Sequence, residues 1–529
     1  MDKRYLLLFL FFVLMFFALM IRVYHIGEYG LFGDEKQSAL IAVGNTNIGG
    51  MVALMNPDST FTPSDFWSPR GIQAWLDVDA RGDVSGNSLF HDMALKLTAW
   101  VFGKSDGALR GVSVLFNMLT LLVMYLWAKK NSPKLIWALA VLALAAMEPF
   151  FVIFSQQARN YTTSLFFTTL SNYYFWMIIH PKDSDKIKNS YFIGWALASL
   201  GALFSTYLTA LVLVGQLIYT FFYWPQNIVV KRFLMGIVFI LIPFGWWMIK
   251  GPGQYFLAYQ ADAALQYRNY LSANGSIEGW IEPSTPINLF KRTLTILSDQ
   301  WVWTNNLYTT FGFKIGSVLL FFFGFFVRRW LIELPKNRRK WYVFGLLQIS
   351  LPVVVLFFSA IKAQTTTGYF LRYASFGLPF GVFISIGFLE YILKQHVWIK
   401  LIAGIFLFTQ IYICFSFIRL MYKDKKQKYT FSVNRSANPY PKIAQKIREQ
   451  YQQGDTVYYP SKFNNLLNSP HMAKLNVDVV DAQLVNLYLD SNDQFIQRID
   501  LSLKDSVLIR GKNGRRLLIF DFDKGRFRY

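Results

Sequence analysis

The stretch MDKRYLLLFLFFVLMFFALMIR, residues 1–22, decides the class of fold. The charged residues Asp2, Lys3 and Arg4 are followed by an uncharged run over 5–21 that ends at Arg22. As a helix, that run rises about 25 Å at 1.5 Å per residue, close to the ~30 Å hydrocarbon thickness of a bilayer. No small-residue cleavage pattern follows it, so a retained first span is expected and not a removed signal peptide. Runs of the same kind recur near 111–128, 135–154, 161–179, 233–249, 315–327, 341–361, 373–389 and 397–418. The uncharged stretch 191–224 is long enough for two more, turning near Ser205-Thr206-Tyr207. The expectation is an α-helical polytopic membrane protein with about eleven transmembrane helices.

Composition points the same way. Of 529 residues, 54% are hydrophobic and only 16% charged, against about 25% charged in a typical soluble chain. A soluble multidomain enzyme and a disordered chain are both disfavoured. The single cysteine, Cys414, lies inside the last apolar run and excludes a disulfide framework. A net charge of +22 would suggest nucleic acid in a soluble protein. Here the charges sort by side. With a cytoplasmic N-terminus, the inner segments hold 18 basic residues, among them Lys129, Lys130, Arg328, Arg329, Arg338 and Arg339. That bias fits the positive-inside rule at every inner loop, so no nucleic-acid partner is needed. An odd number of spans then places the C-terminus outside.

Three segments on the outer side are too long for simple turns: residues 25–108, 251–307 and the tail 421–529. A membrane domain over 1–420 and a small extracytoplasmic α/β domain over 421–529 are expected. In the tail, Ile443, Ile447 and Tyr451 recur at helical spacing, 456–459 reads as a strand, and Lys512-Asn513-Gly514 sits between two strand-like runs as a hairpin signal. The first outer loop carries ten carboxylates against five basic residues. Within it, Leu89, Met93, Leu97 and Trp100 recur at helical spacing, the pattern of a helix lying on the membrane surface.

Asp34-Glu35 lies about a dozen residues beyond the first span. A carboxylate there could take the proton from an acceptor hydroxyl as its oxygen attacks; the plain alternative is a solvated acidic pair. The stretch Leu31-Phe32-Gly33-Asp34-Glu35-Lys36-Gln37-Ser38-Ala39 resembles the first-loop Asp-Glu motif of the GT-C membrane glycosyltransferases. These are the protein O-mannosyltransferase-like, lipid A aminoarabinose transferase-like and rhizobial lipopolysaccharide transferase-like enzymes. Further matches follow in the family's order. Gly86-Asn87-Ser88-Leu89-Phe90, Phe102-Gly103-Lys104-Ser105-Asp106 and Leu109-Arg110 are similar to the juxtamembrane helix and the entry to the second span. Ser155-Gln156-Gln157-Ala158-Arg159-Asn160-Tyr161 resembles the stretch between the third and fourth spans, and Tyr369-Phe370-Leu371-Arg372-Tyr373 an Arg-Tyr motif before a late span. The resemblance covers roughly residues 1–420. Asn87-Ser88 stand where the family often has two prolines, and Gln157 replaces a usual Glu.

The resemblance implies a GT-C fold and transfer of a sugar from a polyprenyl-phosphate carrier to an envelope lipid, glycan or protein on the outer face of a bacterial inner membrane, with inversion. Asp34 would be the base, with Glu35 either orienting it or binding acceptor. Arg159 and Arg372, and more weakly Lys362, are candidates to hold the departing phosphate, since guanidinium matches phosphate oxygens bidentately; snorkelling is the alternative for each. His91, Asp92, Glu148, Tyr161 and Tyr369 are candidates to line the cleft. Asp77-Val78-Asp79 is a weak divalent-metal candidate, and no cofactor is otherwise implied. Competing readings are a transporter or flippase of lipid-linked saccharides and a non-catalytic scaffold for envelope assembly. The chain shows no internal repeat of the kind transporters carry.

Overall fold

In the computed structural model the opening run forms helix α1 (Lys3–Val23), whose Tyr5, Phe9, Phe12 and Phe16 face outward and are exposed. The structure describes residues 3–45, 59–67, 75–76, 78, 87–132, 134–181, 188–223, 227–277, 280–423, 436–460 and 480–522. The helices that follow are α2 (Gly33–Ala42), α3 (Pro63–Trp67), α4 (Leu89–Phe102), α5 (Asp106–Asn131), α6 (Leu135–Met147), α7 (Pro149–Ser155) and α8 (Tyr161–Ile179). Then come α9 (Asn189–Leu203), α10 (Ala210–Phe222), α11 (Asn227–Lys250), α12 (Phe256–Asn274), α13 (Pro286–Asp299), α14 (Leu307–Glu333) and α15 (Lys336–Ala363). The membrane part closes with α16 (Leu371–Ala374), α17 (Leu378–Ile392) and α18 (Val397–Tyr422).

Nine of the eleven apolar runs each fall on one helix, while 135–154 is divided between α6 and α7 and 373–389 runs from α16 into α17. The expected count of eleven crossings is nevertheless not reached on length and composition. Among the described residues seven helices are long and apolar enough to cross a membrane, or eight if the bent pair α6–α7 is one span. The shortfall has a physical reason. Helices α8, α9 and α10 are short or rich in Thr, Ser, Asn and Gln, and their polar groups are satisfied against one another. Gln216 on α10 donates to Ser171 Oγ (3.1 Å) and to Asn172 Oδ1 (2.9 Å), and Ser171 and Ser199 hydroxyls lie 2.8 Å apart. Trp195 Nε1 donates to the other end of the same amide at 2.8 Å. Such pairing lets small and polar residues form the interface between helices.

The break in α6–α7, a bend of 56°, follows from Glu148-Pro149. Pro149 opens α7, and the Glu148 carboxylate caps it by accepting from Phe151 N at 3.0 Å. The core is aromatic: Trp127, fully buried, meets Phe380, Phe383 and Trp341 edge-on at 5.3–6.2 Å between centroids. Between α13 and α14 the irregular segment 300–306 runs inside the bundle, where Trp303 donates to Ser385 O and stacks on Phe406. Non-helical backbone at this depth is tolerated because protein surrounds it.

The tail carries α19 (Tyr440–Gln450), β1 (Thr456–Pro460), α20 (Val480–Asn486), β2 (Ile496–Asp500), β3 (Ser506–Arg510) and β4 (Arg516–Asp521). Its sheet has the order β2-β1-β3-β4, with β1 and β2 parallel and the other pairs antiparallel. The sheet buries Val457, Tyr459, Ile499, Val507, Ile509 and Ile519 in one cluster with Ile443 and Ile447 of α19. That cluster also contains Leu40, Phe61 and Phe66 from the first long loop. Phe61 pairs with Gln497 beside β2, and Trp67 Nε1 donates to Leu489 O at 2.7 Å.

Candidate active site

Helix α2 is short and carries the Asp-Glu pair in its first turn. The two carboxylates part company there. Glu35, at the third helical position, accepts from Phe32 N at 3.0 Å, half of a capping box. Its Oε1 accepts from Arg110 Nε (2.8 Å) and Ala158 N (2.7 Å), and its Oε2 from Arg110 Nη2 (2.9 Å). The carboxylate is wholly buried. Arg110 also donates to the carbonyls of Ile26, Tyr29 and Gly30 at 2.7–3.0 Å. One fork-shaped side chain thus ties α5, the turn after α1 and the start of α2 together, and Glu35 ties α2 to the 156–160 turn.

Asp34 points the other way, with its side chain 42% exposed. Two arginines from distant parts of the chain reach it. Arg372 Nη1 lies 3.4 Å from Asp34 Oδ2, and Arg372 Nη2 donates to Tyr373 OH at 2.8 Å. Arg159 Nη1 donates to Asp34 O at 3.2 Å and to Ser38 Oγ at 2.9 Å. Tyr161 is buried beside them, its ring 6.0 Å from the Arg372 guanidinium. The sequence candidates Asp34, Glu35, Arg159, Arg372 and Tyr161 therefore converge, although 338 residues separate Asp34 from Arg372.

Other candidates sit elsewhere. Tyr369 is fully buried and shares a hydrogen bond of 2.6 Å with Thr293 on α13. Lys362 is exposed in the last turn of α15, with no hydrogen bond or ion pair to this cluster among the described residues. Glu148 is buried at the α6–α7 break, where Asn305 Nδ2 donates to it at 2.7 Å. Asp92 accepts from Ser88 Oγ at 2.7 Å and is buried. His91 is buried with Nδ1 3.0 Å from Thr163 Oγ1. Burial, and then the Arg159 charge, push its imidazole down to about 3, so it is neutral near pH 7. Asp77 and Asp79 lie outside the described residues. No group of three or more His, Cys, Asp or Glu suited to a metal occurs among the described residues.

The residues that sequence reasoning left without a role are Arg110, Ser38 and Tyr373. Arg110 carried a signal, being a lone cation in the first turn of an apolar helix, where an unpaired charge is costly. Helix α4 carries Leu89, Met93, Leu97 and Trp100 as their spacing predicts, and keeps Met93, Leu97, Trp100 and Phe102 exposed.

The comparison with solved structures finds the same overall fold in known proteins. The chain is similar to ArnT from Cupriavidus metallidurans in the apo state, with a TM-score of 0.50 and 12% identity, over 89% of this chain and 86% of that one. ArnT from the same organism bound to undecaprenyl phosphate gives a TM-score of 0.49 and 14% identity, over 89% and 87% of the chains. The archaeal oligosaccharyltransferase AglB from Archaeoglobus fulgidus, in complex with an inhibitory peptide and a dolichol-phosphate, gives 0.47 and 11%, over 85% of this chain and 59% of that one. No family model and no curated protein matches the sequence. At these identities the likeness is one of fold.

Proposed function

We propose that the protein is an integral membrane glycosyltransferase that moves a sugar from a polyprenyl-phosphate carrier to an acceptor hydroxyl on a lipid, glycan or protein of the cell envelope. The observation that carries the reading is the half-exposed Asp34 carboxylate, held beside the Arg372 guanidinium, with Arg159 bonded to the Asp34 backbone carbonyl. In the reaction Asp34 accepts the acceptor's proton while the acceptor oxygen attacks the anomeric carbon. The carbon–oxygen bond to the carrier breaks on the opposite face, and the phosphate leaves with the bonding pair. The Asp34–Arg372 separation of 3.4 Å is longer than the roughly 2.7–2.9 Å of a tight charge-assisted bond. A phosphate oxygen can therefore replace Asp34 on Arg372, which frees the carboxylate for the proton and gives the departing charge a bidentate partner. Inversion at the sugar follows from attack opposite the leaving group.

The charge pattern of the loops supports a cytoplasmic N-terminus, with the site and the tail outside a bacterial inner membrane. The lipid-phosphate ligands named for the ArnT and AglB structures agree with the donor class. Asp34→Asn tests the assignment in purified protein supplied with polyprenyl-phosphate-linked sugar. Transfer, read as released polyprenyl phosphate, should fall by about 10²–10⁴-fold, while folding survives because Asp34 is exposed. Full transfer by the variant would exclude Asp34 as the base.

A further inference from the structure

Helices α14 and α15 meet in a two-residue turn on the membrane face opposite the site. Arg372 lies beyond the far end of α15, whose 28 residues span about 40 Å. Near the turn the two helices and Trp301 line an open apolar groove of about 370 Å³, with Gly324, Val327, Leu331, Val343 and Leu346 along it. That volume is within the ~300–1,000 Å³ of small-molecule pockets. Arg328 and Arg339 line its end nearest the turn.

The charges around the groove do not balance. Glu333 is taken by Arg329 at 3.1 Å. Glu390 is shared by Arg338 at 3.3 Å and Lys394 at 3.1 Å. Arg328, Lys336 and Arg339 have no carboxylate contact among the described residues. Arg339 is fixed by donating Nη2 to Ile332 O (2.7 Å) and Leu334 O (3.1 Å), and its Nε is buried without a partner. A preset guanidinium and a second arginine at the mouth of an apolar slot fit one ligand chemistry: a phosphodiester with an acyl chain attached. We propose that this groove binds an anionic glycerophospholipid, the phosphate between Arg328 and Arg339 and one acyl chain along Gly324 and Leu346. Basic pockets between spans on the positive face hold lipid headgroups in this way. The site is separate from Asp34 and does not depend on the protein being a glycosyltransferase.

Native mass spectrometry of the full chain, released from micelles containing equal phosphatidylglycerol and phosphatidylcholine, reads the preference directly. The wild type should carry phosphatidylglycerol at least about fivefold over phosphatidylcholine, since one basic contact near the surface is worth about that factor. Arg328→Gln with Arg339→Gln should bring the ratio to near one. Gly324→Leu is an independent check, because a Cβ at Gly324 meets nothing within 4 Å and the side chain fills the slot; it should reduce retention of both lipids. Equal retention of the two lipids by the wild type would overturn the proposal, as would a preference that survives the double substitution. Displacement of phosphatidylglycerol by equimolar polyprenyl phosphate would overturn it in favour of a second carrier site, and a dimer that Gly324→Leu dissociates in favour of a protein interface.

Discussion

Asp34 and Glu35 are neighbours in sequence and opposites in environment. Because Glu35 is buried in a bidentate pair with Arg110, Glu35→Gln leaves Arg110 as an uncompensated buried charge, a change that costs about 3–5 kcal/mol. The expected outcome in detergent is a large fall in Tm for Glu35→Gln and almost none for Asp34→Asn, with activity lost in both; equal Tm values would show that Glu35 is not structural. His91 supplies a pH signature. Its pKa falls from the ordinary 6.5 to about 3, so above pH 6.5 both folded and unfolded forms are neutral there and stability is full. As pH drops from 6.5 towards 3 only the unfolded chain takes up the proton, and stability falls, by about 2 kcal/mol at pH 5. His91→Gln should lose less Tm than the wild type between pH 7.5 and pH 5; parallel losses would exclude the buried neutral imidazole as the cause. At this scale the sequence located the pair but not which of the two carboxylates is buried. Nothing in the local residues says that Arg110, 75 positions away, takes Glu35 and leaves Asp34 outside.

Most elements were legible because each has a local cause. The apolar runs became helices, Ser105 caps α5 by accepting from Ala108 N at 3.2 Å, and the turn after β3 lies at the expected Gly514, with φ of 81°. The elements not read were α2, α3, α12 and α13 in the two long loops, and α20 and β2 in the tail. Strand β2 owes its place to parallel pairing with β1 across the α20 crossover, a contact that local pattern does not encode. Close approach between elements decides other positions. A Cβ at Gly381 of α17 would stand 1.8 Å from the Gln300 carbonyl oxygen, whereas one at Gly324 meets open space. Gly381→Ala is therefore expected to destabilise by about 3 kcal/mol or more and Gly324→Ala by less than about 0.5 kcal/mol, read as Tm shifts; a neutral Gly381→Ala would mean that the 300–306 segment yields easily.

Across the whole molecule, the first long loop and the tail fold around one core. Phe66 is buried against tail residues, and Lys104 Nζ donates to Leu487 O at 3.1 Å while Tyr488 OH donates back to Lys104 O at 3.2 Å. Gly30, four residues before Asp34, donates to Ser436 O at 2.9 Å. Phe66→Ala should cost about 3–5 kcal/mol and hasten limited proteolysis within the tail's sheet; unchanged cleavage would show that the tail is held without the loop. By itself the sequence determined the membrane class, the helix positions and the acidic loop, because hydrophobicity, charge and turn chemistry are properties of consecutive residues. Only the tertiary structure decided which apolar runs fold as short, polar helices, that Glu148 caps a broken helix, that Glu35 is buried while Asp34 is half-exposed, and that loop and tail share a core. Each of these depends on which residues, hundreds of positions apart, share one low-dielectric space, and that is fixed by packing.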